Sequence, residues 1–226
     1  MININSVKTQ VDNLAAKGQH SYDASTQFNP NAQSANRILF DFYQHQFEQN
    51  SLMPNAIRGL IVNTDLAVDP QGFAEFPQDF GFRTALQYRR VINTDCGNKI
   101  DDLPVDYMAS HERPYVLSSA IRKPSISKGI IRHSFEDGKI RVYPNNVGKV
   151  QLTYVKQPAT PFWGSTIVST PDGDFEQYDP TTSTDFEYPW TEEENLVNLI
   201  LAMLGIEIRE TALIQYAQGK FQQQNA

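Results

Sequence analysis

The residues best suited to metal or proton chemistry in this chain are its four histidines, His20, His45, His111 and His133. None lies four residues from another or beside a cysteine, so a zinc site would need three ligands from unrelated elements. The single cysteine, Cys96, excludes an internal disulfide and a multi-cysteine site, and reads as a thiol in a loop. Asp172, Asp174, Glu176 and Asp179 match a calcium loop in density but lack its glycine at the sixth position and its acid at the twelfth. A solvated turn is the expectation there. No G-x-S-x-G, G-x-x-x-x-G-K-[ST] or G-x-G-x-x-G occurs, and Ser110 and Ser134 merely adjoin His111 and His133 with no orienting acid. Asp101 and Asp102 form a carboxylate pair of a kind common in any acidic protein, in an expected loop. The chain is therefore read as having no catalytic residue, no metal ligands and no cofactor.

Aromatic residues offer a different chemistry. Phe162, Trp163, Tyr178, Phe186, Tyr188 and Trp190 crowd one stretch, and rings of this size contribute to cores, to subunit interfaces or to sugar-stacking platforms. All three readings stand at this point. The partner-interface reading takes all six residues; a carbohydrate-binding surface module would use Trp163, Trp190 and Tyr178.

Nineteen Lys and Arg against twenty-six Asp and Glu give a net charge of -7, which opposes condensation onto a phosphate backbone. A local basic patch around Arg83, Arg89 and Arg90 is weighed against solvated strand residues. The opening "MININSVKTQ" lacks the basic region and apolar run of a signal peptide, and the longest apolar run, Leu199 to Leu204, is too short to span a bilayer. Synthesis and first residence in a cytoplasm are expected, with no membrane partner.

The elements that must position these residues show in the periodicity. Ile4, Val7, Val11 and Leu14 form a helical stripe ended by Gly18. A second helix is expected from near Pro30 to about Gln49, with Leu39, Phe42, Tyr43 and Phe47 on one face. From Phe73 the pattern becomes β: Leu86 and Tyr88 alternate with polar neighbours, "PYVLSSAI" is read as a further strand, and "IIRHSFE" runs into an Asp137-Gly138 hairpin turn. Ile140 and Val142, then Val150, Leu152 and Tyr154, complete an expected three-strand meander that stops at Pro158 and Pro161. Residues 164 to 189 read as a long loop with one short strand at Ile167-Val168. Thr191 and Glu194 form a capping box that starts "NLVNLILAML", a helix apolar nearly all round and stopped by Gly205; Leu213, Tyr216, Ala217 and Lys220 continue at helical spacing.

The order of "FPQDFGF", "DLPVDYM", "GKIRVYPNNVGKVQLTYVKQPATPFWG" and "DFEYPWTEEENLVNLILAMLGIEIRETALIQYAQGKF" resembles the head-to-tail connector and tail-ring proteins, of adaptor or tail-tubular type, of short-tailed phages, most of all crAss-like phages. The likeness covers most of the chain from about residue 28. It implies an α+β fold, with a helical bundle from the N- and C-terminal helices plus an antiparallel β-sandwich or barrel-like domain. The corresponding division is N-terminal helices over 1–69, a β domain over 70–165, a long loop or arm over 166–190, and C-terminal helices over 191–226. The resemblance also implies a structural virion protein assembled in the host cytoplasm, forming a ring with copies of itself, twelve in number. Its partners would be the portal and neighbouring tail or ring proteins. Genomic DNA would pass through the ring without specific binding, in keeping with the acidic charge.

Overall fold

The computed structural model describes residues 1–17, 25–94, 97–171 and 173–204. His20, Cys96, Asp172, and the expected stops and final helical segment at Gly18, Gly205, Leu213, Tyr216, Ala217 and Lys220 lie outside the described residues. The fold is mixed α+β, dominated by a seven-stranded, nearly closed, barrel-like sheet accompanied by a few helices. The chain divides into two compact units: Met1–Gly59 with Pro158–Ala226, and Leu60–Gln157.

In the first unit, α1 spans Ile4–Lys17. The Asn3 side chain accepts the free amides of Asn5 and Ser6, which caps the helix start. Ile4, Val7 and Val11 are buried as the spacing requires, but the stripe continues through Ala15 while Leu14 turns outward. Helix α2 spans Ser25–Asn50, so Pro30 lies inside it, beyond the first turn where a missing amide costs nothing. Phe28, Ala32, Ala35, Leu39, Phe40 and Tyr43 form its buried stripe, with Phe42 and Phe47 at the margins. The last described helix, α4 (Glu193–Met203), buries Leu196, Val197, Ile200 and Leu201.

Thr191 and Glu194 do not form a capping box. Pro189 opens a 3-10 turn over Trp190–Glu192, which takes up Thr191 and leaves Glu192 in the cap position of α4, with no side-chain cap. The Glu192 carboxylate instead accepts the Tyr43 hydroxyl of α2 and the Asn195 amide. On α1, Ser6 and Gln10 both donate to Glu193, at 2.7 Å each.

In the second unit, β1 (Ile61–Ala67), β2 (Phe73–Ala74), β3 (Phe80–Thr94), β4 (Gly97–Tyr107), β5 (Ile131–Glu136), β6 (Lys139–Tyr143) and β7 (Lys149–Lys156) form one sheet in the order β1-β7-β3-β4-β5-β6-β2. The β5–β6 hairpin turns at Asp137 (φ 51°) and Gly138 (φ 72°), both left-handed, as the dipeptide leads one to expect. The expected meander is overturned, because β7 does not continue from β6. It inserts between β1 and β3, with Leu152 opposite both Thr64 and Leu86. Strand β1 escapes a hydrophobicity reading since only Leu66 of its seven residues is buried. Strands β4 and β5 run parallel, which requires the crossover through residues 108–130. Within it "PYVLSSAI" is no strand: Arg113–Ser118 form a short helix, α3, entered through Pro114 and burying nothing.

The core of this unit gathers Leu66, Ala74, Leu86, Val105, Ile131, Ile140, Val142, Val150 and Leu152 from all seven strands. Tyr154 is 3% exposed, with its hydroxyl donating to Asp79 at 2.8 Å.

Candidate interaction surface

The proline-rich arm after β7 cannot fill its hydrogen bonds from a ladder, since Pro158 and Pro161 lack amide donors. Its carbonyls are met from α2. Asn36 donates to the Ala159 carbonyl at 3.2 Å, Gln33 to that of Pro161 at 3.5 Å, and Asn29 to that of Trp163 at 3.1 Å. Three carbonyls two residues apart thus meet three amides spaced at helical intervals, running in opposite directions. Asn29 also accepts the Trp163 amide at 2.7 Å, which clamps that residue from both sides of its backbone.

This clamp decides where the aromatic stretch goes. Trp163 is buried, its indole donating to Asn5 at 3.0 Å, and Tyr178 stacks on it at 6.0 Å and 29°. The Lys8 ammonium, itself buried, lies 5.1 Å from the Trp163 ring and 5.4 Å from the Phe28 ring while paired to Asp12 at 3.0 Å. Phe186 is enclosed by its bridge to Ile2, and Tyr188 donates its hydroxyl to the Asn36 carbonyl at 3.1 Å. Burial pushes the Tyr188 hydroxyl far above its usual range. Trp163, Phe186 and Tyr188 therefore build the interior of the first unit. Phe162, at 44% exposure, and Trp190, at 77%, face outward, with Tyr178 between the two states. Of the three rings weighed for a sugar platform, Trp163 and Tyr178 stack on each other and Trp190 is exposed.

The expected loop over 164–189 contains a two-stranded hairpin: β8 (Ser165–Thr170), which includes the expected short strand at Ile167-Val168, and β9 (Gly173–Tyr178), which was not expected. Pro171, Asp172 and Gly173 in sequence are its turn signal. Pairing places Ile167 opposite Glu176 and Ser169 opposite Asp174 on one face, with Val168 opposite Phe175 on the other. Ile167 is 73% exposed and Phe175 is more than half exposed.

In the second unit, the polar residues are committed to one another. His133 is buried, its Nδ1 donating to the Val105 carbonyl at 3.0 Å and its Nε2 accepting from the Arg83 guanidinium. Burial, reinforced by the Arg83 charge, lowers its pKa to about 4, so the imidazole is neutral. Glu136 is desolvated, which on its own would raise its pKa. Hydrogen bonds from Arg141, Ser134, Arg113 and Tyr143 outweigh this and hold it at about 2. Sequence gave no hint of this cluster, because its members come from α3, β5 and β6. Arg89 pairs with Asp102 at 2.9 Å and Arg90 with Asp101 at 2.8 Å. Adjacent on β4, the two aspartates face opposite sides of the sheet, so they make no catalytic pair, and the three arginines form no open basic patch.

His45 and His111 are exposed and distant in sequence, and no group of three metal-binding side chains occurs among the described residues. An open groove beside the end of α2, lined by Gln46, Asn50, Leu52, Met53, Pro54, Asn55 and Arg58, holds no carboxylate, imidazole or hydroxyl. No described helix is long and apolar enough to cross a membrane. No protein-family model matches the chain, and no curated protein matches it either.

Proposed function

We propose that the chain is a structural virion protein, one subunit of a ring in the head-to-tail connector or tail of a short-tailed phage. In this reading α1, α2 and α4 belong to a helical bundle completed by the C-terminal residues, and the sheet forms the barrel-like partner domain. The ring encloses part of the DNA passage, binds the portal and neighbouring tail proteins, and performs no bond chemistry. The observation that carries the reading is the outward turn of apolar side chains on the first unit: Ile167 and Phe175 on the hairpin, Phe162 and Trp190 nearby in sequence, and Ile38 and Leu52 at and after α2. A monomer gains nothing from exposing such groups, whereas heterologous contacts repeated around an axis use them on every copy. Electron microscopy of the recombinant protein and of particles from infected cells tests this. Closed rings, or density for the chain between head and tail, are the expected result; a monodisperse monomer absent from particles overturns it.

A further inference from the structure

The interior face of the seven-stranded sheet changes character at one end. Along β4 and β5, buried Val105 and Ile131 give way to Tyr107 and His133, which stand opposite each other, and then to Phe135. Side chains two residues apart on a strand share a face, so these groups close the core at that end. Their rings form one cluster: Tyr107 lies 5.7 Å from Phe135 and 5.6 Å from His133, and Phe76 lies 5.9 Å from Phe135. The cluster is open to solvent, with Tyr107 51% and Phe135 43% exposed over buried His133.

Arg83 enters this cluster from β3. It stands opposite Tyr154, its guanidinium lies 5.6 Å from the centre of the Phe135 ring, and one Nη donates to neutral His133. Arg83 is half-buried, and burial pulls its pKa below the usual guanidinium value. A charge withdrawn from water in this way is ordinarily met by an anion. No ion pair among the described residues includes Arg83. The carboxylates on the neighbouring segments are taken elsewhere: Asp106 by Arg132 at 3.4 Å, Glu136 by Arg113 and Arg141, and Asp79 by the Tyr154 hydroxyl. The bond to His133 uses one donor of a fork that carries several.

We infer that this end of the sheet is a binding site for a carboxylate carried on an aromatic or aliphatic body, the remaining guanidinium donors taking the oxygens and the Tyr107 and Phe135 rings covering the body. One unpaired cation selects a monoanion. A phosphate dianion or a polyphosphate chain would bring charge that nothing at the site balances, on a chain whose net charge is already -7. The Val105 carbonyl fixes His133, which in turn fixes Arg83, so little ordering remains to be lost on binding. The site is independent of the ring reading, since a small organic acid and an acidic side chain beside an aromatic one in another protein present the same group.

Fluorine NMR on the whole chain near neutral pH tests it, with para-fluorophenylacetate as the probe. The acid is expected to bind, and neutral para-fluorobenzyl alcohol at least about tenfold more weakly. Acetate, which lacks the ring, should displace the probe only at concentrations about tenfold or more higher. Arg83→Gln should weaken the acid by about tenfold or more and leave the alcohol unchanged, whereas Phe135→Leu should weaken both by about threefold. Thermal unfolding checks each variant; if Arg83→Gln fails to fold, Arg83→Lys replaces it and must still weaken the acid by about threefold, because an ammonium lacks the planar fork. Absence of binding, equal binding of acid and alcohol, an Arg83 variant that holds the acid undiminished, or displacement by inorganic phosphate at a lower concentration than by acetate overturns the site. A blocked phenylalanyl-glutamate dipeptide that displaces the probe at a lower concentration than phenylacetate points to a protein segment as the source, and the reverse order to a small acid; both uphold the site.

Discussion

His133 and Glu136 occupy neighbouring positions on β5 and respond to acid in succession. The folded chain holds His133 neutral with a pKa of about 4, below the ordinary 6.5, so the unfolded chain takes up the proton first as pH falls. Its stabilising contribution is complete above about pH 6.5 and lost on the way down to about 4, a change on the order of 3 kcal/mol. Glu136 is depressed from 4.5 to about 2, so its contribution is present above pH 4.5 and disappears as pH falls toward 2. Urea unfolding measured across pH should show two successive acid losses, and His133→Gln should remove the first while leaving the second. An NMR titration in which the His133 ring protonates near pH 6.5 would contradict this assignment. Glu136→Gln should destabilise by roughly 2–4 kcal/mol at pH 7, because Arg141 and Arg113 then lose their anionic partner.

Turns and arms show their dependence on single positions just as directly. Gly72 has φ 94°, and a Cβ there would lie 2.8 Å from the Val142 carbonyl oxygen of β6; Gly138 has φ 72° with open space around it. Gly72→Ala should therefore cost more than the roughly 1–2 kcal/mol of a left-handed alanine at 138, a difference that paired thermal unfolding curves would resolve. Asn29→Ala removes both hydrogen bonds that clamp Trp163, and a loss of about 1–3 kcal/mol with a change in tryptophan fluorescence is the expected result. These elements differ in how legibly the sequence announced them. The α1 stripe and the Asp137-Gly138 hairpin rest on contacts within a few residues, so periodicity and turn chemistry suffice. The placement of β7 between β1 and β3, and the amide ladder from α2 to the arm, join residues more than sixty positions apart, and no local pattern encodes them. Aromatic content alone likewise could not tell buried Trp163 from exposed Trp190, because what separates them is Asn29, 134 residues from Trp163.

At the scale of the whole molecule, the chain leaves the first unit after Gly59 and returns at Pro158, so that unit is built from both ends of the sequence. Ending the chain before Glu192 would strip α1 and α2 of the Glu192–Glu193 contacts to Tyr43, Ser6 and Gln10 and of the apolar stripe of α4. Helical circular dichroism should then drop by more than the eleven residues of α4 account for, while NMR signals of the β5–β6 hairpin persist. Loss of only the eleven residues' worth of signal would show that α1 and α2 stand without it. The sheet carries a separate implication. Its first and last strands in spatial order, β1 and β2, are consecutive in sequence and joined through residues 68–72. One border is only two residues long, and the other bears Asn63 and Asp65. Such a lamina offers little purchase for a stranger's backbone, so even at high concentration this sheet should resist fibrillar precipitation.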